Sequence, residues 1–493
     1  MSVTLNFSKL LFFKQTLVFT WFISFVLFIF CPENLDETYM SYSLGNTLIA
    51  SISFFFYQKI YFKKFIFISI TFLFSLSLII THFQIGIAHV LGFQIEDNFF
   101  KNFIWSDINK GNLSIAISSL GLISFYLGHA FTSKFKTNYY SLINKKNSYK
   151  NLTTTLIVLS IIFYVLFFFT SGSYRFGNYG AGDQLIISNY FVNFFNVSLK
   201  SALIVKMYLI NLNIKKIKNL KNYISYVGFP LTAIVFWHIL FSLYVGDRGP
   251  IIFYGVLYFG LYLIRLAKNL NVLFLVSILI IPPLFSILGA SRSRDSKASF
   301  TEKVSTSDYE SRYSTNFSGE MPGLSTLELA LSVRCVNHAI SNVPKNYDYN
   351  YGVYQLKQVA ASVPFLVGFL DRNVLQGSKN EQSSPDFISY LIQGNNVKYG
   401  DATTPVADLY LDFGAYGVFI GFFLFGIFVK RADSVIIFGQ QTSLFFWFVI
   451  MFYWSGAIYL GRASFLYYIQ SIVQMYIIVV LINSLLNFRK YIR

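Results

Sequence analysis

Charge is what this chain has least of. Only 12% of its 493 residues are Asp, Glu, Lys or Arg, while 55% are hydrophobic and 20% aromatic. Soluble proteins carry roughly 25% charged residues, so a soluble globular domain is excluded. Proline is scarce, with 10 residues against 57 Phe and 35 Tyr, which favours long, bulky helices. There are two cysteines, Cys31 and Cys335, and two isolated cysteines are weak evidence for a disulfide. The five histidines, His82, His89, His129, His238 and His338, are scattered. No HExxH or CxxC spacing joins them, so no metal is expected. No P-loop is present to drive transport with ATP. No Asp-x-Asp offers the divalent-ion site of many sugar-nucleotide transferases. No Gly-x-Ser-x-Gly elbow offers a serine nucleophile. No cofactor is implied.

What is there is a series of apolar runs. A membrane-crossing helix needs about 20 apolar residues. Candidate spans fall near 10–30, 43–58, 65–91, 112–132, 152–170, 185–211, 223–245, 251–267, 270–290, 404–429, 436–460 and 465–487. The expected fold is therefore all-α, a polytopic membrane protein with about twelve transmembrane helices. The first run follows Lys9 and Lys14 but ends in Phe-Ile-Phe-Cys-Pro without a cleavage site of small residues, so it is expected to be a retained helix.

The net charge of +17 does not signal nucleic-acid binding, because the basic residues sit in short clusters between apolar runs. Alternate short loops and ends carry 21 and 5 basic residues, the asymmetry that marks the cytoplasmic side. Both termini are then cytoplasmic. The one long polar run, Ser291–Thr403, is extracytoplasmic. This divides the chain into a bundle of about nine spans over 1–290, a large loop over 291–403 and three spans over 404–493.

The loop holds eleven basic and eleven acidic residues, so an anion site within it must be local. Its first third, rich in Ser and Thr, reads as irregular. Leu324–Asn342 reads as a helix with Arg334 and His338 four apart on one face. Tyr351–Leu370 reads as a second amphipathic segment, interrupted at Val363-Pro364, able to dip partly into the membrane where protein or water lines it. The remainder to Gly400 reads as loop.

Several charged residues stand where water meets the spans. Asp247 and Arg248 occupy the tight turn Gly246-Asp247-Arg248-Gly249-Pro250 between two spans. The bland reading is a solvated ion pair of little energy; the functional one is a ligand contact. Arg292 and Arg294 follow the ninth span beside hydroxyls, and guanidinium groups bind phosphate bidentately; a solvated flank competes with that reading. Asp408 and Asp412 stand four apart at the mouth of the tenth span, where a carboxylate is costly if buried. Arg462 lies in the last outer turn. Arginines, a few acids and one histidine suit transfer from a lipid pyrophosphate. The leaving group is already good, arginines stabilise its developing charge, and one base activates a sugar hydroxyl.

The second half of the chain resembles the Wzy-type O-antigen, or oligosaccharide repeat-unit, polymerases. The resemblance rests on several places taken in order: Gly246-Asp247-Arg248-Gly249 opening a span; one large late outer loop; Asp348-Tyr349-Asn350-Tyr351-Gly352 before a helix and Val363-Pro364; Leu409-Tyr410-Leu411-Asp412-Phe413-Gly414-Ala415-Tyr416-Gly417 entering the tenth span; and Arg462. It departs from the family pattern in having no Arg directly after Pro364.

The resemblance implies a glycosyltransferase of the bacterial inner membrane. It would polymerise undecaprenyl-pyrophosphate-linked repeat units into O-antigen or a similar surface polysaccharide at the outer face, by metal-independent inverting transfer. A flippase and a chain-length regulator would be its partners, and nucleic acid would not. Arg248, Arg292 and Arg294 would bind pyrophosphate with Arg334 and Arg462 as second candidates, Asp247 would assist substrate binding, and His338, Asp408 or Asp412 would be the base. Two alternatives stand beside it. A lipid-linked oligosaccharide flippase would more often show two similar halves. An O-antigen ligase would differ in using a lipid A core as acceptor.

Overall fold

The computed structural model describes 2–64, 66–93, 107–132, 146–176, 185–213, 217, 219–245, 247, 249–265, 326–363, 365–371, 383–397 and 400–491. Among the described residues the regular structure is entirely helical. In chain order the helices are α1 (Ser2–Ile29), α2 (Glu37–Phe62), α3 (Ile70–Leu78), α4 (Gln84–Val90), α5 (Gly111–Phe131), α6 (Lys146–Thr170), α7 (Ile186–Asn213), α8 (Leu220–Val227), α9 (Phe229–Val245), α10 (Gly249–Arg265), α11 (Leu327–Ala330), α12 (Val333–Asn342), α13 (Val353–Ala360), α14 (Leu366–Leu370), α15 (Ser384–Gln393), α16 (Pro405–Phe438), α17 (Leu444–Gly456) and α18 (Ile469–Tyr491).

Among the described residues seven helical stretches are long and apolar enough to cross a membrane, or eight if the bent pair α8–α9 is one span. The chain is thus an all-helical, polytopic membrane protein. The ninth expected span, 270–290, lies outside the described residues, as does the Ser/Thr-rich first third of the loop. The expected span 223–245 forms as two helices meeting at 97°. Gly228, at φ 93°, ends the first of them, and Pro230 sits in the opening turn of the second.

The tenth span was expected to stop at 429, yet α16 continues to Phe438. The Lys430-Arg431 pair does not end it, because Lys430 is buried over the ring of Tyr61, 3.0 Å from its centroid, and near Phe62 at 4.6 Å. The stretch expected to be loop before Gly400 contains α15. Ser383 caps its first turn by accepting from the Asp386 amide (3.4 Å), Pro385 and Asp386 follow as N-terminal residues, and Gly394 closes it.

The chain forms two compact units: 1–135 with 313–433 and 457–470, and 136–312 with 434–456 and 471–493. In the first, α1, α2 and α5 are joined by a buried polar seam. Asn46 donates to Ser24 Oγ (3.0 Å) and to the Thr20 carbonyl (2.9 Å), and Ser119 bonds both Ser24 (3.0 Å) and Thr47 (2.5 Å). Interhelical hydrogen bonds of this kind hold helices together where lipid gives no hydrophobic drive. Helices α5 and α16 meet backbone to backbone: a Cβ on Gly128 would lie 1.9 Å from the Phe423 carbonyl oxygen, and one on Gly426 would lie 2.2 Å from that of Phe125.

In the second unit α6 packs along α7. Trp447 donates to the Ile204 carbonyl (3.1 Å), and Arg265 donates to the carbonyls of Ile436 (2.6 Å) and Val435 (3.0 Å). These carbonyls belong to the last turn of α16, where a cation offsets the negative helix end. Both cysteines are free thiols.

Candidate active site

The site is built in the first unit, where the large loop folds against the start of α16. Helix α12 supplies Arg334 and His338. It begins after Ser332 and ends at Asn342, since Pro344 disfavours helical backbone at Val343, which is extended. Val333 through Ile340 are all buried. Asn337 holds the helix down by donating to the Asp107 carbonyl (3.1 Å) and accepting from its amide (3.3 Å).

Arg334 forms a buried ion pair with Asp401. Asp401 also accepts from Gln393 Nε2 (2.6 Å), and its amide donates to Ser389 Oγ (2.9 Å). Four groups thereby fasten α12, α15 and the approach to α16 at one point. The next residue, Ala402, lies in the left-handed region (φ 63°), a conformation that costs a β-carbon-bearing residue roughly 1–2 kcal/mol.

His338 is buried, and burial with the neighbouring Arg334 cation holds its imidazole down at about 4, although a hydrogen bond to the main chain of Leu391 works the other way. Among the described residues Nδ1 has no hydrogen-bond partner. The ring is therefore neutral at pH 7. Burial also raises the Cys335 thiol to about 11, so it is not a nucleophile.

Asp408 and Asp412, one turn apart on α16, do different work. Asp412 accepts from the amides of Tyr354 (3.3 Å) and Gln355 (3.1 Å), so its carboxylate caps the N-terminus of α13. Asp408 is ringed by side chains instead: Gln355 Nε2 (2.5 Å), Gln358 Nε2 (3.5 Å) and Ser384 Oγ all donate to it. Gln358 also accepts from Ser464 (2.5 Å), two residues past Arg462. Arg462 ends a short 3-10 turn, Ala457–Arg462, whose Gly461 amide donates to Ser77 Oγ (3.0 Å). Its charge is felt at Cys335.

Two of the sequence motifs meet at this point. The amides of Asn350 and Tyr351 donate to the carbonyls of Leu411 (3.0 Å) and Asp412 (2.9 Å). Gly352 (φ 90°) and Gly414 (φ 63°) both need left-handed backbone, and each faces a ring of the other motif: a Cβ on Gly352 would lie 2.7 Å from Phe413, and one on Gly414 would lie 3.1 Å from Tyr349. Gly414 also kinks α16.

Of the expected residues, then, Arg334, His338, Asp408, Asp412 and Arg462 belong to one unit. Asp247 belongs to the other, where it accepts from the Gly249 amide (3.2 Å) in the turn between α9 and α10. Arg248, Arg292 and Arg294 lie outside the described residues. Sequence reasoning missed Gln355, Gln358, Ser384, Asp401 and Ser464. The glutamines carried a signal: two amides three apart in an amphipathic segment share one face of a helix. Asp401 carried none, since its partner is 67 residues away in sequence. Among the described residues no group of three or more His, Cys, Asp or Glu is placed to share a metal ion.

A family model described as O-antigen polysaccharide polymerase Wzy matches residues 10–490, nearly the whole chain. No curated protein and no solved structure matches it.

Proposed function

The chain belongs to the O-antigen polysaccharide polymerase Wzy family, and on that premise we propose that it is a glycosyltransferase joining undecaprenyl-pyrophosphate-linked repeat units at the outer face of the bacterial inner membrane. In this reading twelve spans bring both termini to the cytoplasm, and 291–403 is the extracytoplasmic loop between bundles 1–290 and 404–493. A flippase delivers the substrate and a chain-length regulator limits the product.

The transfer inverts the donor sugar. A hydroxyl of the incoming repeat unit attacks the anomeric carbon, the bond to undecaprenyl pyrophosphate breaks, and the hydroxyl proton passes to a base. We assign the base to His338, whose neutral ring leaves Nδ1 without a partner among the described residues. Asp408, ringed by Gln355, Gln358 and Ser384, orients acceptor hydroxyls. Asp412 fixes α13 rather than reacting, because its oxygens serve the helix amides. Arg248, Arg292, Arg294 and Arg462 receive the pyrophosphate charge, with Asp247 setting the turn beside Arg248. Arg334 is a lesser contributor, since Asp401 already neutralises it.

The observation that carries this reading is the ring of Gln355, Gln358 and Ser384 around Asp408, in the same compact unit as His338, Arg334 and Arg462 and next to the contact between the two family-like motifs. The test is complementation of a host lacking this chain, with surface polysaccharide resolved on a gel. Single repeat units without the long ladder in the deletion strain support a polymerase. Loss even of the single unit points to a flippase or a ligase. If Arg248→Ala and Arg292→Ala both leave polymer length and yield unchanged, the pyrophosphate assignment is wrong.

A further inference from the structure

Helices α13 and α14 form a corner whose outer surface is apolar and uncovered. Leu356, Val359, Val363, Phe365 and Phe369 are all exposed, Phe365 at 93%. Phe365 holds this position with a left-handed backbone (φ 67°), a costly conformation for a bulky residue. No charged residue occurs from Gln358 to Leu370. The charges come at the two ends, where Lys357 and Asp371 pair at 2.8 Å and tie the base of the corner together. A water-exposed loop with such a tip would be an aggregation liability.

Its height in the fold says what covers it. Asp412 caps the start of α13, and Gly352 lies against the ring of Phe413. The corner therefore starts level with the kink of α16, and beyond that kink the helix is long enough to cross a bilayer by itself. Phe413, Tyr416 and Ile420, the first exposed side chains at that end of the span, are those of a lipid-facing surface. Meanwhile the adjoining face of α13 carries Gln355 and Gln358 to Asp408.

We infer that the α13–α14 corner is a membrane wedge: Leu356, Val359, Val363, Phe365 and Phe369 lie among the acyl chains of the leaflet at the Gly414 end of α16. The amides of Ala361, Ser362, Val363, Leu366 and Phe369 donate to carbonyls within the corner's own turns, which lowers the cost of insertion. The inference rests on the membrane character of the chain and is independent of the chemistry assigned to His338 or Asp408. One consequence is that bilayer lipid comes within one helix diameter, about 10 Å, of the ringed carboxylate.

The experiment is nitroxide accessibility on the full chain in nanodiscs of phosphatidylethanolamine and phosphatidylglycerol. Phe365→Cys and, separately, Phe369→Cys are labelled in a Cys31→Ser background, with Cys335 left in place because it is buried. Lys345→Cys serves as the water-exposed reference. The expected result is oxygen collision several-fold above that of the water-soluble nickel chelate at 365 and 369, with the order reversed at 345. Chelate access at 365 and 369 equal to that at 345 would put the corner in water and overturn the inference. Low access to both reagents would mean that protein covers it, which overturns the inference equally. Two labelled positions keep the test decisive if one variant does not fold.

Discussion

Helix α16 carries buried carboxylates near both ends, and the two ends use them differently. At the C-terminal end Asp433 accepts from the amides of Ile70 (2.9 Å) and Thr71 (3.2 Å) and from the Thr71 hydroxyl (2.5 Å). At the N-terminal end Asp412 does the same for α13. Both are spent on the unpaired amides of a helix start, which must be satisfied somewhere. Asp408 is held only by side chains. A substrate hydroxyl can replace an amide or a serine, whereas it cannot replace a helix terminus without unfolding it. The contrast separates two acids that build the fold from the one to which we assign acceptor binding, although all three look alike in sequence.

The sharpest way to break the comparison is at the base. His338→Gln is expected to lower polymerisation about 10²–10⁴-fold, the usual worth of a general base, with the protein still accumulating in the membrane. Gel analysis of surface polysaccharide, beside immunodetection of the chain, reads both. Equal ladders from His338→Gln and the unsubstituted chain would remove His338 from the chemistry.

The second break is at the C-terminal end of α16. Asp433→Ala orphans three donors, each costing about 1–3 kcal/mol when buried. It should lower the detergent-solubilised melting temperature and the amount of protein, and leave activity per folded molecule intact. A drop in specific activity at undiminished stability would show that Asp433 is more than a cap.

Up to eight of the spans were legible because membrane-crossing helices announce themselves by length and hydropathy alone; those expected at 43–58, 185–211 and 251–267 are helices that do not meet that standard. Sequence also misjudged some of the ends, and the reasons are local. Lys430-Arg431 read as a stop, but aromatic rings on α2 accept the lysine. At Gly228 the chain turns by 97° inside one continuous apolar run. The site was half legible. Arg334 and His338 four apart, and Asp408 and Asp412 four apart, were visible as helix faces. That Arg334 meets Asp401, that Asp412 caps a helix, and that Gln355 and Gln358 surround Asp408 are contacts between distant stretches, which no local pattern encodes. The cap on α15, by contrast, was written in Ser383-Ser384-Pro385-Asp386 and was overlooked.

The pH dependence sharpens the same comparison more gently. His338 is held at about 4 in the folded chain, against about 6.5 for an unfolded imidazole. Its folded pKa is depressed, so the unfolded state binds the proton first as pH falls. Stability is full above about 6.5 and declines toward 4. Between pH 7 and pH 5 the loss should be about 2 kcal/mol, seen as a lower melting temperature that His338→Gln abolishes. Polymerisation should be flat between about pH 6 and 8 and fall only as the ring itself protonates.

The smallest expected effect tests how Asp408 is held. Gln358→Leu removes one amide from the carboxylate and one of the acceptors of the Ser464 hydroxyl, which also reaches Asp408. A neutral hydrogen bond is worth about 1 kcal/mol net. With Gln355 and Ser384 still in place, the loss should be a few-fold in polymer yield, and the melting temperature should move little. Gln355→Leu, which loses the shorter contact at 2.5 Å, should cost more. Reversal of that order would mean that Gln358 acts mainly through Ser464, positioning the turn that carries Arg462, and that the ring around Asp408 is a means of placing an arginine.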